Sequence, residues 1–187
     1  GKYEEAIESF KQAIRINPDY VEAHSMLGAA YHDSGKVKEA IESFKQTIRL
    51  DPDFAVSHYC LGLAYDKSDM HKEAIEAFKQ AIRIDPDLAG AHTSLGITYN
   101  FIGKHNEAIK ALKQAIRINP DYADTHNNLG LAYFNTGRYK DAIESFKQAI
   151  RIDPDDANAH NNLGDAYKDS GKYKDAIESF KQAIRID

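Results

Sequence analysis

The sequence predicts an all-α protein, a linear array of antiparallel two-helix units, and three observations predict it. One stretch, Glu5 to Ile16 (EAIESFKQAIRI), is written six times: it returns at Glu39 to Leu50, Glu73 to Ile84, Glu107 to Ile118, Asp141 to Ile152 and Asp175 to Ile186. The only prolines, Pro18, Pro52, Pro86, Pro120 and Pro154, stand 34 residues apart. Within each copy the apolar residues, for example Ala6, Ile7, Phe10, Ala13 and Ile14, fall at steps of one, three and four, the stripe of an amphipathic helix. A fixed period of this size marks stacked supersecondary units rather than one globular core. The 187 residues then divide as a half unit 1–20, full units 21–54, 55–88, 89–122 and 123–156, and a last unit 157–187 short of its final residues, all in a single array.

Taken in order, the first recurring stretch is stopped by Asn17 and Pro18, because proline lacks the amide hydrogen a continuing helix needs and drives its predecessor out of helical geometry. Asp19 is expected to cap the following helix. That helix is predicted over about Val21 to Ser34, with Ala23, Leu27, Ala30 and Tyr31 on one face. Gly35 turns the chain into the second recurring stretch, and Gly103, Gly137 and Gly171 hold the same place, where a left-handed residue ends the helix. Asp69 stands there in the run Lys67 to His71 and tolerates that geometry less well, so its unit is expected to be the weak one. A second set, Gly28, Gly62, Gly96, Gly130 and Gly164, lies inside the variable helices. Mid-helix glycine costs about 1 kcal/mol against alanine, so a partner helix is expected to cross there too closely for a side chain. The apolar face of the first helix, Ile7, Phe10 and Ile14, has no preceding partner and is expected to be covered by another molecule or to fray.

Composition removes other classes. Apolar residues make up 42% of the chain without a run long enough to cross a membrane, so no membrane insertion is expected. There are 29 acidic and 24 basic residues, net −5, spread evenly, which does not suit nucleic acid. Within each recurring stretch acids precede bases, complementing the helix dipole on a solvated face. Cys60, the single cysteine, permits no internal disulfide and leaves a reducing compartment allowed, with the cytoplasm the expectation. No signal peptide is visible, although the chain starts without Met and part-way through a unit, so a targeting segment could lie upstream.

Leu27, Gly28, Tyr31, Ala40, Phe44 and Pro52 of the first full unit reproduce the pattern L-G-x-x-Y, A-x-x-x-F, P, and later units repeat it with Leu112 replacing one Phe. Over its whole length the chain resembles the tetratricopeptide-repeat (TPR) family. It departs in the opening tryptophan, which is histidine at His24, His58, His92, His126 and His160. The resemblance implies a right-handed superhelical solenoid whose first helices line a concave groove for peptides or partner helices, and it brings no catalytic residues. The wording of Ala157 to Gly164 is similar to repeats of O-linked N-acetylglucosamine transferases, which grip peptide backbone with a ladder of asparagines. Only Asn128 and Asn162 match that ladder, Met26, Cys60 and Ser94 holding the other rungs. A carboxylate clamp for acidic chaperone tails is not expected, because Glu22, Val56, Gly90, Asp124 and Asn158, and Ser25, Tyr59, Thr93, Asn127 and Asn161, include no base.

The aligned histidines could suggest a metal or a pH switch. Packed helices stand about 8–10 Å apart, whereas zinc holds nitrogen at about 2 Å, so neighbouring histidines would not share an ion. They are read as partly buried fillers of the tryptophan slot whose titration softens the array in mild acid, and no metal or cofactor is expected. Cys60 lacks the helix start or basic neighbour that makes a nucleophile, and the recurring acids and serines belong to the scaffold, so no enzyme activity is expected.

Variation is concentrated on the outward stripe of the first helices. It reads Ser25, Ala29, His32, Asp33; Tyr59, Leu63, Asp66, Lys67; Thr93, Ile97, Asn100, Phe101; Asn127, Leu131, Phe134, Asn135; and Asn161, Asp165, Lys168, Asp169. The middle three are apolar. The candidate peptide-binding residues are therefore Tyr59, Leu63, Ile97, Asn100, Phe101, Asn127, Asn128, Leu131, Phe134 and Asn162. Packing between adjacent first helices would account for Leu63, Ile97 and Leu131, less easily for the aromatic rings. The expected function is a non-catalytic protein-binding scaffold for a peptide or partner helix. The alternatives are a substrate-recognition segment of a larger enzyme such as a glycosyltransferase, and an array that self-associates through uncapped ends.

Overall fold

The computed structural model describes residues 2–186, which form eleven helices and no strand. They are α1 (Lys2–Ile16), α2 (Val21–Asp33), α3 (Val37–Leu50), α4 (Ala55–Asp66), α5 (His71–Ile84), α6 (Ala89–Phe101), α7 (His105–Ile118), α8 (Ala123–Asn135), α9 (Tyr139–Ile152), α10 (Ala157–Asp169) and α11 (Tyr173–Ile186). The chain forms two compact units, Gly1–Ala91 and His92–Asp187. The first is built on α1 to α5 and the start of α6, the second on the rest of α6 and α7 to α11.

The turns follow from two local devices. Where α3 ends, Asp51 is extended (φ −135°, ψ 94°) ahead of Pro52, as proline requires of its predecessor. Its carboxylate then accepts the amide of Asp53 at 3.1 Å, and Asn17, Asp85, Asn119 and Asp153 accept from the residue two places on in the same way. These residues are Asx turns rather than helix caps. The cap expected at Asp19 is therefore not made: Tyr20 occupies that place without a side-chain bond, whereas Asp156, at the start of α10, does cap its helix, accepting the amides of Asn158 at 2.9 Å and Ala159 at 3.1 Å.

The second device ends the first helix of each pair. Gly35 is left-handed (φ 79°), its amide donates to His32 O and that of Lys36 to Tyr31 O at 2.8 Å, a Schellman closure. Asp69 takes the same geometry at φ 58° with the same bonds, Met70 N donating to Tyr65 O at 3.0 Å.

Packing within a pair is set by the mid-helix glycines. A Cβ on Gly62 would lie 2.5 Å from the Phe78 ring of α5, and one on Gly130 2.5 Å from the Phe146 ring of α9. Gly28 meets Phe44, Gly164 meets Phe180 and Gly96 meets Leu112 in the same manner. The glycine is a socket, and Phe44, Phe78, Phe146 and Leu112 fill it almost without exposure. In the second unit Leu129, Tyr133, Phe146 and Leu163 belong to one cluster, so the core runs through successive pairs. At α1, Ile7 is 5% exposed and packs on Leu27 and Ala30 of α2, with Phe10 and Ile14 half-buried beside it. The face expected to await another molecule is thus largely covered by α2.

Candidate functional site

The five histidines stand on the first helices, and four rings are seen to reach back to the preceding turn. His24 Nε2 lies 2.8 Å from Pro18 O, His58 2.9 Å from Pro52 O, His126 2.8 Å from Pro120 O and His160 3.1 Å from Pro154 O. A carbonyl only accepts, so each Nε2 carries a hydrogen. Among the described residues no cluster of His, Cys, Asp and Glu could hold a metal ion. Burial pushes the Cys60 thiol up, with the charge of Asp33 adding, which is the reverse of an activated nucleophile.

The outward stripe of the first helices carries the candidate binding residues. In the first unit, Tyr59 is half-buried with its ring 6.0 Å from that of Phe78. Its hydroxyl lies 3.2 Å from where a Cβ of Gly90 would stand, so the ring fills the space that glycine leaves on α6. Leu63 is half-buried. The exposed large apolar side chains of α2 and α4 are instead Met26 and Val56, which lie off that stripe, and Met26 borders a cavity of about 380 Å³ with Phe10, Ala13 and Tyr20.

In the second unit the structure brings α6, α8 and α10 together through polar seams. Thr93 and Thr125 share a hydrogen bond at 3.0 Å, Asn135 Nδ2 donates to Asn100 Oδ1 at 3.2 Å, and Asn162 Nδ2 donates to Asn127 Oδ1 at 3.0 Å. His105 Nδ1 also donates to Asn100 Oδ1, at 2.7 Å. Asn128 turns back to its own helix, donating to Asp124 O at 2.8 Å. Leu131 and Phe134 are half-buried against the core, and the Phe134 ring meets Tyr139 edge-on at 5.6 Å. Two apolar residues of this stripe stay open: Phe101, 73% exposed, and Ile97, 38% exposed.

A family model described as the C-terminal domain of cilia and flagella-associated protein 70, a TPR domain, matches residues 1–187. The chain belongs to this TPR family. A crystal structure of MamA shares 31% identity, covering 86% of this chain and 94% of that one at a TM-score of 0.81. A MamA structure from Desulfovibrio magneticus RS-1 shares 21%, covering 89% and 94% at 0.83. YrrB, described as a TPR protein with an unusual peptide-binding site, shares 23%, covering 96% and 93% at 0.81. No curated protein matches the chain.

As a TPR array, the chain joins a fold used as a protein-interaction scaffold, and among the described residues no helix is long and apolar enough to cross a membrane. The TPR signature accounts for the sockets, their rings and the prolines. It does not account for Thr93, Thr125, Asn135 and His105, which sequence reasoning passed over. For Thr93, Thr125 and Asn135 the signal was a polar residue on consecutive first helices, offset from the 34-residue period, and for His105 a polar residue opening the second helix of the pair, visible only once it is known which residues meet.

Proposed function

We propose that this TPR chain is a non-catalytic scaffold that takes a peptide segment on the outward stripe of its first helices, with Ile97 and Phe101 as anchors and the amides of Asn100, Asn127, Asn128 and Asn162 as partners for the segment's backbone. Tyr59, Leu63, Leu131 and Phe134 supply the half-buried walls beside the open positions of their own units. The observation that carries the reading is Phe101, a phenyl ring 73% exposed in a row whose polar neighbours are hydrogen-bonded to one another. Large exposed aromatic side chains are common anchors, and the amide atoms that these bonds leave over, Nδ2 of Asn100 and Asn127 as donors and Oδ1 of Asn128 and Asn162 as acceptors, can pair with a peptide bond. The peptide-binding site named for YrrB supports it by likeness of fold. The test is selection from a random dodecapeptide library on the immobilised chain, followed by titration of the enriched peptides against Phe101→Ala. Enrichment that this variant abolishes supports the site, and enrichment it leaves untouched refutes it.

A second reading is favoured by α11. Ile177 is 55% and Ile184 77% exposed, whereas Ile143, the counterpart of Ile177 on α9, is 3% exposed. Such a face would drive self-association. Light scattering over a range of concentrations tests it: a size that does not change with concentration refutes it.

A further inference from the structure

Resting on the peptide-binding reading above, we propose that the segment taken by the second unit is cationic as well as apolar: an unstructured peptide carrying lysine or arginine beside an aromatic or branched aliphatic residue. Extended by one residue at its start, the outward stripe of α8 runs Asp124, Asn127, Leu131, Phe134, Asn135, and that of α10 runs Asn158, Asn161, Asp165, Lys168, Asp169. Asp124 and Asp169 are exposed, and neither carboxylate has an ion pair within 4.0 Å among the described residues. Asp165 already holds a cation, Lys168 Nζ at 2.6 Å. Three acids therefore stand against one base on these two stripes. The bond to Asp165 and that carboxylate's charge push the Lys168 amine up, the charge of Asp169 adding least, so the field here favours positive charge.

The apolar part of the same surface is Ile97 and Phe101 of α6, which the Asn100–Asn135 and Thr93–Thr125 bonds hold beside α8. Lysine and arginine suit this combination, since their methylene stems lie along apolar surface while the charged heads reach carboxylates, and a cation over a phenyl face gains further. The seams do not compete for the charge, because the Asn127 and Asn100 carbonyls already accept from neighbouring amides. An acidic segment would meet like charge at Asp124 and Asp169 with no lysine or arginine other than Lys168 on the α8 and α10 stripes to receive it.

The dodecapeptide selection on the whole chain tests this with a separate readout, the net charge of the enriched sequences. The expected result is enrichment of net-positive peptides containing Phe, Trp, Leu or Ile. One such peptide, synthesised and titrated by calorimetry, should lose about tenfold or more in affinity to the double variant Asp124→Asn/Asp169→Asn and weaken as salt is raised. The control Glu144→Gln/Glu178→Gln removes two charges from the second helices and should change nothing. Neutral or acidic binders that still need Phe101 would overturn the cationic assignment and leave the peptide-binding reading standing. Cationic binders that respond equally to both double variants would also overturn it, reducing it to the overall net charge. Absence of any enrichment, or binders indifferent to Phe101→Ala, would remove the peptide-binding reading and this inference together.

Discussion

Gly130→Ala should destabilise the chain although alanine is the better helix former. The change gains about 1 kcal/mol of helix propensity at an interior position. Against that, the new Cβ would lie 2.5 Å from Cε1, 2.6 Å from Cδ1 and 2.9 Å from Cζ of Phe146. Carbon atoms pack at about 3.5–4.0 Å, so the ring would have to retreat by about 1 Å. Phe146 is fully buried within the cluster of Ala142, Ile143 and Leu163, and has nowhere to go without displacing them. Overpacking of this kind costs about 1–3 kcal/mol, which leaves a net loss of about 1 kcal/mol.

Gly164→Ala supplies the comparison. Its Cβ would meet Phe180 at the same 2.5 Å, but that ring is only half-buried and can swing outward. Its net change should be close to zero or slightly favourable. The informative quantity is the difference between the two variants, about 1 kcal/mol, read from urea unfolding followed by far-ultraviolet circular dichroism. Because stacked repeats can unfold in parts, amide exchange in α8 and α10 should accompany it. Equal behaviour of the two variants, or a Gly130→Ala chain as stable as the parent, would refute the socket account.

Asp69→Gly should stabilise the chain by about 0.5–1 kcal/mol, since φ 58° strains an aspartate, while its 92%-exposed carboxylate forms only a long contact of 3.9 Å with His71; a loss of stability in urea unfolding would contradict this. Asp156→Ala should cost about 1 kcal/mol by removing the one side-chain cap seen among the first helices, measured the same way, with faster amide exchange at Asn158 and Ala159. Phe101→Ala should leave the melting temperature nearly unchanged while costing a bound peptide about 2 kcal/mol, and a sharp fall in melting temperature would make the ring part of the core. Phe134→Ala, by contrast, should lower stability on its own, because that ring packs on Tyr139 and the core cluster.

Much of the fold was legible because repetition makes each expectation six-fold redundant. The helix expected over 21–34 runs Val21–Asp33, the left-handed turns fall at Gly35, Gly103, Gly137, Gly171 and Asp69, and the interior glycines stand where the partner helix approaches too closely for a side chain, through a Phe ring at four of them and Leu112 at Gly96. What was not legible involves partners chosen among several equal candidates. Asp19 was expected to cap, whereas its amide is taken by Asn17, whose side-chain carbonyl lies two places before it and closes an Asx turn ahead of the proline. The tether from His24 to Pro18 could not be seen in a pattern that normally carries tryptophan, whose ring nitrogen can also donate. Tyr59 looked like a free anchor because the gap at Gly90 that receives it lies in the next unit of sequence. A period of 34 identifies equivalent residues but not touching ones. The seams join residues 35 apart, Asn100 to Asn135 and Asn127 to Asn162, or 32 apart, Thr93 to Thr125.

That offset changes what variation between units means. A residue that differs from copy to copy looks free to serve a ligand, yet in three first helices a residue at the end or one place before it is matched to the opening residue of the following helix. Asp66 faces His71 at 3.0 Å, Asn100 faces His105 at 2.7 Å, and Phe134 faces Tyr139 ring to ring. Each pair is complementary in its own chemistry: acid with imidazole, amide with imidazole, aromatic with aromatic. The variation is therefore partly internal, two positions changing together to keep a contact that fixes the turn. Once those residues are assigned to each other, few positions of the second unit remain that vary, stay open and have no internal partner to explain them. Ile97, Asp124 and Asp169 are such positions, and Phe101 joins them by its 73% exposure alone; it is on these, rather than on the stripe as a whole, that the case for a ligand rests.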